Sequence, residues 1–293
     1  MYKYLNIFLL SATFSQTVSD YAYTGAEVAA MAGAIVSEEG GNWSIFHNPA
    51  GITEIEGIHL SAGSGKLYGF NWLPSYNLSG YVPLPIIGTI GFALQQLEVK
   101  YNEIHLSSEQ TFSIAQGFNL QHDKNSHLSI GYTANFVQWN LGKSAGVTGD
   151  GSYGLELGRL NSVTVDLGVL ASLRDKYRFG VFLKNINSGA LGKGMTRQVL
   201  PRRINAGITY IPLNRLSTTI VSEHFLGRDD QQIKGAIRYK LYSYLEIYAG
   251  AQSNPNRFGM GTTFMLNRQS VSYGLLTHPV LPMTHQFNLS ISL

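Results

Sequence analysis

The segment 284–293 alternates apolar and polar side chains without a break: Phe287, Leu289, Ile291 and Leu293 fall on one face, Gln286, Asn288, Ser290 and Ser292 on the other. A period of two belongs to an extended strand with one oily and one wet face. The oily face needs a cover, which is either another layer of the same chain or lipid. That choice decides the class of protein.

The pattern recurs along most of the chain. Ile58, Leu60 and Ala62 oppose His59, Ser61 and Gly63; Phe112, Ile114, Phe118 and Leu120 oppose Ser113, Ala115, Gly117 and Asn119. Val163, Val165, Leu167 and Val169 oppose Ser162, Thr164, Asp166 and Gly168, and similar runs continue to the end. About fourteen strands of roughly nine to twelve residues are expected, and crossing the hydrocarbon layer at a tilt takes roughly 9–11. Soluble strands are typically about half as long. In lipid every backbone group must be paired internally, which strands achieve only by closing into a barrel, usually with an even strand count. The fold class predicted is all-β: a single-chain transmembrane antiparallel β-barrel.

Composition agrees with lipid as the cover. Only 13% of the 293 residues are charged, and 32 are Gly and 17 Tyr. A net charge of +3 without a concentrated Lys/Arg run gives no footing for nucleic acid. The absence of Cys excludes a disulfide framework, a thiolate metal site and a lipid-modified N-terminal Cys. Residues 1–19 are expected to be a signal peptide: Lys3 precedes the largely apolar run from Leu5 to Leu10 and the small residues Ser11, Ala12 and Ser15.

Residues 20–55 differ from the rest of the mature chain. Tyr23 to Val36 is rich in Ala and Gly and lacks alternation, which suits a closely packed helix or an irregular plug. Asn48, Pro49, Ala50 and Gly51 then form a bend, since Pro49 lacks a backbone donor and Gly51 permits a tight turn. The barrel is expected to occupy 56–293.

The run G-A-E-V-A-A-M-A-G-A-I-V followed by W-S-I-F-H-N-P-A-G-I resembles the N-terminal signature of outer-membrane barrels of the long-chain fatty-acid transporter (FadL/OMPP1) type, including PorV/PorQ-like proteins of type IX secretion. In that family the Asn-Pro-Ala portion folds into or beside the lumen as a plug or hatch, so the resemblance implies a bacterial outer-membrane location. The stretches Y-R-F-G-V-F-L-K-N-I from Tyr177 and P-R-R-I-N-A-G-I-T-Y from Pro201 also resemble hairpins of that group. Many such barrels end on Phe or Trp, whereas this chain ends on Leu293.

The polar faces carry isolated charges, Asp166, Lys184, Arg203, Glu223, Lys234, Arg238 and Glu246, which are expected to line the lumen. Asp166 with Lys184 and Glu223 with Lys234 are the cross-strand pairs to look for. Tyr81, Trp139, Tyr210, Tyr239 and Tyr273 are candidates for interfacial girdles. The Gly-rich stretches 141–153 and 187–200 are expected to be long external loops.

Enzyme signatures fail. Ala62-Gly-Ser-Gly-Lys66-Leu67 is like a phosphate loop but has Leu60 where the pattern needs Gly and Leu67 where it needs Ser or Thr. Eight His are scattered without a metal-ligand spacing, and no cofactor pattern is present. Two non-catalytic classes remain. The resemblance favours a PorV/PorQ-type component of type IX secretion or another outer-membrane assembly, with secretion-machinery proteins as partners beside lipid. The alternative is a FadL-like channel for fatty acids or other small hydrophobic molecules. A channel predicts an apolar pocket beneath residues 23–51; an assembly component predicts a filled lumen.

Overall fold

The computed structural model describes residues 23–101, 104–144, 147, 153–192, 197–227 and 230–293. The predicted signal peptide lies outside them. So do parts of both predicted loops.

The barrel strands are β1 (His59–Lys66), β2 (Pro74–Leu84), β3 (Gly88–Tyr101), β4 (Ile104–Asp123), β5 (Ser126–Asn140), β6 (Arg159–Leu173) and β7 (Tyr177–Lys184). Two short strands, β8 (Ala190–Leu191) and β9 (Gln198–Val199), form a separate hairpin. The barrel resumes with β10 (Arg203–Leu213), β11 (Leu216–Phe225), β12 (Gln231–Tyr242), β13 (Leu245–Gln252), β14 (Arg257–Leu266), β15 (Gln269–Leu276) and β16 (Thr284–Ser292). Among the described residues, fourteen antiparallel strands close into one barrel, with β1 joined to β16. Closure pairs every wall strand on both sides, which is what lipid demands. The lengths run from 8 residues in β1 to 20 in β4, a wider range than the sequence pattern predicts. No helix among the described residues is long and apolar enough to cross a membrane.

The alternation sorts onto the two faces as expected. Ile114, Ile220, Phe258 and Met260 stand out from the wall, each about 60% exposed or more, while Ser129, Thr133, Thr209 and Thr219 are fully buried on the inner face. Such a wall is stable only where acyl chains surround it. One end of the barrel has turns of two or three residues, such as 124–125, 214–215 and 267–268; the other carries the long connections 141–158 and 185–202. Leu293 N donates to Ile58 O at 2.8 Å, so 58 and 293 meet at the short-turn end.

The girdle expectation holds in part. Tyr210 stacks on Tyr177 at the short-turn end, with ring centroids 5.1 Å apart, and Tyr242 stacks on Tyr244 nearby. Tyr81 is a correction: it is fully buried in the lumen, where its hydroxyl donates to Asn42 O at 2.9 Å and Ile45 N reaches it at 3.4 Å. Trp139 also belongs to the inner face, in register with the buried Glu109.

Candidate functional site

Residues 23–57 lie inside the barrel, and their composition explains how they fit. Tyr23 sits toward the loop end, where its hydroxyl bonds Gln252 and its carbonyl accepts from Gln286 Nε2 at 2.6 Å. Gly25 comes next but one, with φ of 111°, a conformation that side chains resist, and an added Cβ would overlap the Trp43 indole. Helix α1 (Ala26–Ala30) then passes along the inner face of β13 to β16 with Ala26, Ala29 and Ala30 fully buried. At five residues it is too short to stand alone, so its stability comes from this wall.

The wall meets it with glycine. A Cβ on Gly261 would lie 2.5 Å from Ala30 Cβ, and one on Gly250, Gly259 or Gly274 would overlap the backbone of Met31, Ala29–Ala30 or Ala26. The belt continues around the barrel. Gly207 faces Val36 Cγ1 at 2.6 Å from its hypothetical Cβ, Gly180 faces Val36 and Ser37, and Gly117, Gly131 and Gly168 face 48–52. Small residues on the segment and absent side chains on the wall together bring backbone against wall.

The Asn48-Pro49-Ala50-Gly51 bend is the anchor. After helix α2 (Ser44–His47), Asn48 caps a 3-10 turn, Pro49–Glu54, by accepting from Ala50 N at 3.1 Å. Its Nδ2 donates to Val36 O at 2.6 Å and to Val169 O of β6 at 3.2 Å. One amide thus ties two parts of the segment to the wall. Pro49 occupies the first helical position, where its missing N–H costs nothing. Gly51 is needed for space rather than for a turn: a Cβ there would lie 3.0 Å from Glu38 O.

Charge completes the fit. Residues 23–57 contain five Glu and no Lys or Arg. Glu38 meets Arg238 Nη2 at 2.7 Å, and accepts from Thr219 at 2.8 Å and Thr209 at 3.3 Å. Glu39 meets Arg178 Nε at 2.7 Å and His127 Nε2 at 2.8 Å. Burial pushes the Glu39 carboxyl above the ordinary range, against the opposing pull of Arg178 and His127. Glu27 is held by Ser272 at 2.6 Å and Asn288 at 2.7 Å. His47 Nε2 lies 3.0 Å from Thr24 O, and burial lowers its pKa to about 4.

The charges singled out from sequence are placed in the lumen but not in one cluster. Glu223 bonds both Arg203, at 3.3 Å, and Lys234. Asp166 accepts from Asn135 Nδ2 and from Asn185 N, both at 2.7 Å, and lines a small cavity with Lys184. Arg238 and Glu246 lie at the short-turn end with Glu38. Arg178, His127 and the segment's own Glu27, Glu38 and Glu39 were not singled out. The one-sided charge of 23–57 was the available signal.

Beneath the segment, toward the short turns, is a cavity of about 280 Å³. Val28, Met31, Ile35, Trp43 and Met265 supply its apolar lining; Glu27, Glu38, Glu39, Arg238 and Glu246 line it too. A second cavity, of about 240 Å³, lies toward the loop end among Tyr23, Arg203, Glu223, Phe225 and Arg257. At the loop-end rim, Phe70 stacks on Trp72 with centroids 4.8 Å apart, and Trp72, Val280 and Met283 are exposed. The phosphate-loop-like Ala62–Leu67 stretch is mostly strand, with β1 paired to β2 and β16, so its amides are committed to the ladder.

No protein-family model matches the chain, and no curated protein matches it. Solved structures do. The monoaromatic hydrocarbon channel CymD aligns over 92% of this chain and 97% of its own, at 12% identity and a TM-score of 0.61. The P. putida toluene transporter TodX aligns over 92% and 98%, at 13% identity and 0.61. A Pseudomonas aeruginosa FadL homologue aligns over 91% and 97%, at 11% identity and 0.51. At such identities the likeness is one of fold.

Proposed function

We propose that the chain is an outer-membrane channel of the FadL superfamily that passes small hydrophobic molecules around the segment 23–57. The observation that carries this is the cavity lined by Val28, Met31, Ile35 and Trp43 beneath that segment. Its volume of about 280 Å³ suits a compact ligand. An apolar cavity of about 150 Å³ already admits benzene, whereas drug-sized ligands take roughly 300–1,000 Å³. A monoaromatic hydrocarbon therefore fits better than an extended acyl chain. Barrels of like fold named as a monoaromatic hydrocarbon channel and a toluene transporter lend support. The short-turn end faces the periplasm and the loop end, with its exposed Trp72 stacked on Phe70, faces outward, following the rule for such barrels. The domain reading is a signal peptide, a plug and a barrel. Arg238 and Arg178 hold glutamates of the plug, Glu223 is paired with Arg203 and Lys234 along the wall, and we read the chain as non-catalytic.

The test is uptake of radiolabelled toluene by an outer-membrane host without its own hydrocarbon channel. Expression should raise uptake above the empty host, and Val28→Trp, which fills the cavity, should return it to that level while the barrel remains assembled. Uptake equal to the empty host with assembled protein present would sink the proposal. Type IX secretion, favoured from the sequence resemblance, has less behind it, since none of these structural likenesses carries it. A stable complex with secretion proteins on native purification would reinstate it.

A further inference from the structure

The β4–β5 hairpin carries a group of side chains that hydrocarbon passage does not use. His122 and His127 are cross-strand partners in register, and their rings lie within 24° of parallel with centroids 5.8 Å apart. Glu54, the last residue of the 3-10 turn that begins at Pro49, is brought against them from inside the barrel. One ligand atom from each of Glu54, His122 and His127 lies within 4.8 Å of the other two. Asn119 Nδ2 steadies the group, 3.4 Å from Glu54 Oε1 and 3.4 Å from His122 Nδ1.

We propose that Glu54, His122 and His127 form a binding site for a divalent transition metal of the zinc class, which staples the plug to the wall at the short-turn end. Two imidazoles and one carboxylate are a donor set for zinc rather than for magnesium or calcium, and they leave a fourth position for water. Tetrahedral bonds of about 2.0–2.2 Å hold ligand atoms roughly 3.3 Å apart, so each side chain must move in by about 1 Å. His122 is exposed and Glu54 is partly so, which leaves both free to make that movement. The less mobile ligand is already oriented: His127 bonds Glu39, which Arg178 holds in turn. The same Nε2 also faces the plug carboxylate, 3.9 Å from Glu54 Oε1. The sequence spacing hides the site because four residues on a hairpin turn, not a helix, separate the two histidines.

Because Glu54 belongs to the plug and both histidines to the wall, metal binding would oppose plug movement. The test uses the tag-free full chain, folded in detergent and stripped with a chelator. Titration with Co²⁺ should give one equivalent with the intense visible bands of a four-coordinate site, displaced by Zn²⁺. Zn²⁺ affinity, read against a chromogenic chelator, should fall tenfold or more in His122→Ala, His127→Ala and Glu54→Ala, and stay unchanged in His224→Ala. Should His127→Ala not fold, the exposed His122 carries the test. No saturable binding, or binding indifferent to these substitutions, overturns the site. Full affinity in Glu54→Ala overturns the staple.

Discussion

Replacing Asn48 should loosen the plug by an amount that the structure sets. The side chain is 1% exposed and makes three hydrogen bonds: the cap to Ala50 N, and donations to Val36 O at 2.6 Å and Val169 O at 3.2 Å. Asn48→Ala removes a cap worth about 1 kcal/mol. It also takes the donor from Val36 O in a buried setting, which costs about 1–3 kcal/mol. Val169 O lies in a sheet ladder and loses little. The sum is about 2–4 kcal/mol against local opening, or roughly a 30- to 700-fold rise in the opening equilibrium at 1.4 kcal/mol per tenfold. Hydrogen–deuterium exchange of residues 36–54 in protein folded into lipid vesicles reads this directly. Asn48→Asp separates the two contributions: Asp caps as well as Asn, but its carboxylate faces Val36 O and Val169 O with acceptors. It should cost at least as much as Ala. Exchange at Ala50 and Gly51 within threefold of wild type in Asn48→Ala, or a wild-type Asn48→Asp, would refute the anchoring role.

Other contacts of the plug set further expectations. Gly168→Val drives a side chain into Asn48 Oδ1 and against Pro49 Cδ and Ala50 N, the last two 2.9 and 3.1 Å from the new Cβ, and should cost about 1–3 kcal/mol in urea titration into vesicles. Gly235→Ala, with nothing nearer than 3.9 Å, should stay within about 0.5 kcal/mol. Glu38→Ala strips Arg238 of its ion-pair partner, at a cost of about 2–4 kcal/mol by the same titration, below the range of a fully buried pair because the Arg238 side chain is 30% exposed. Acid should weaken the plug through His47: the folded protein holds it neutral down to about pH 4 while the unfolded chain protonates near 6.5. Stability from this group is complete above the unfolded value and falls between about pH 6.5 and 4. Because His47 is only partly buried, the loss is about 1–2 kcal/mol, and a pH series on His47→Gln should show a correspondingly flatter slope.

Much of the wall was legible in one dimension. Alternation is a local property of an extended chain, so Ile114 and Phe258 could be assigned outward and Thr133 and Thr209 inward without any partner being known. Strand length and the need to pair every amide in lipid then led to closure. The irregular segment was also visible, because Ala26 to Ala30 breaks the period of two. What Tyr81 does was not: an aromatic at a strand end serves a girdle or a lumen equally well, and only the approach of Asn42 and Ile45 decides.

The same limit applies to the candidate site. The glycines of β5, β6, β13 and β14 look alike in sequence, and their purpose appears only where Pro49, Ala30 or Met31, more than sixty residues away, lies against them. Pairings between Glu38 and Arg238, or between Glu54 and the two histidines, depend on which inner-wall position a folded segment reaches once the barrel has closed. Periodicity dictates the face a side chain takes. What it meets across the lumen is a matter of three-dimensional register, which no local pattern encodes.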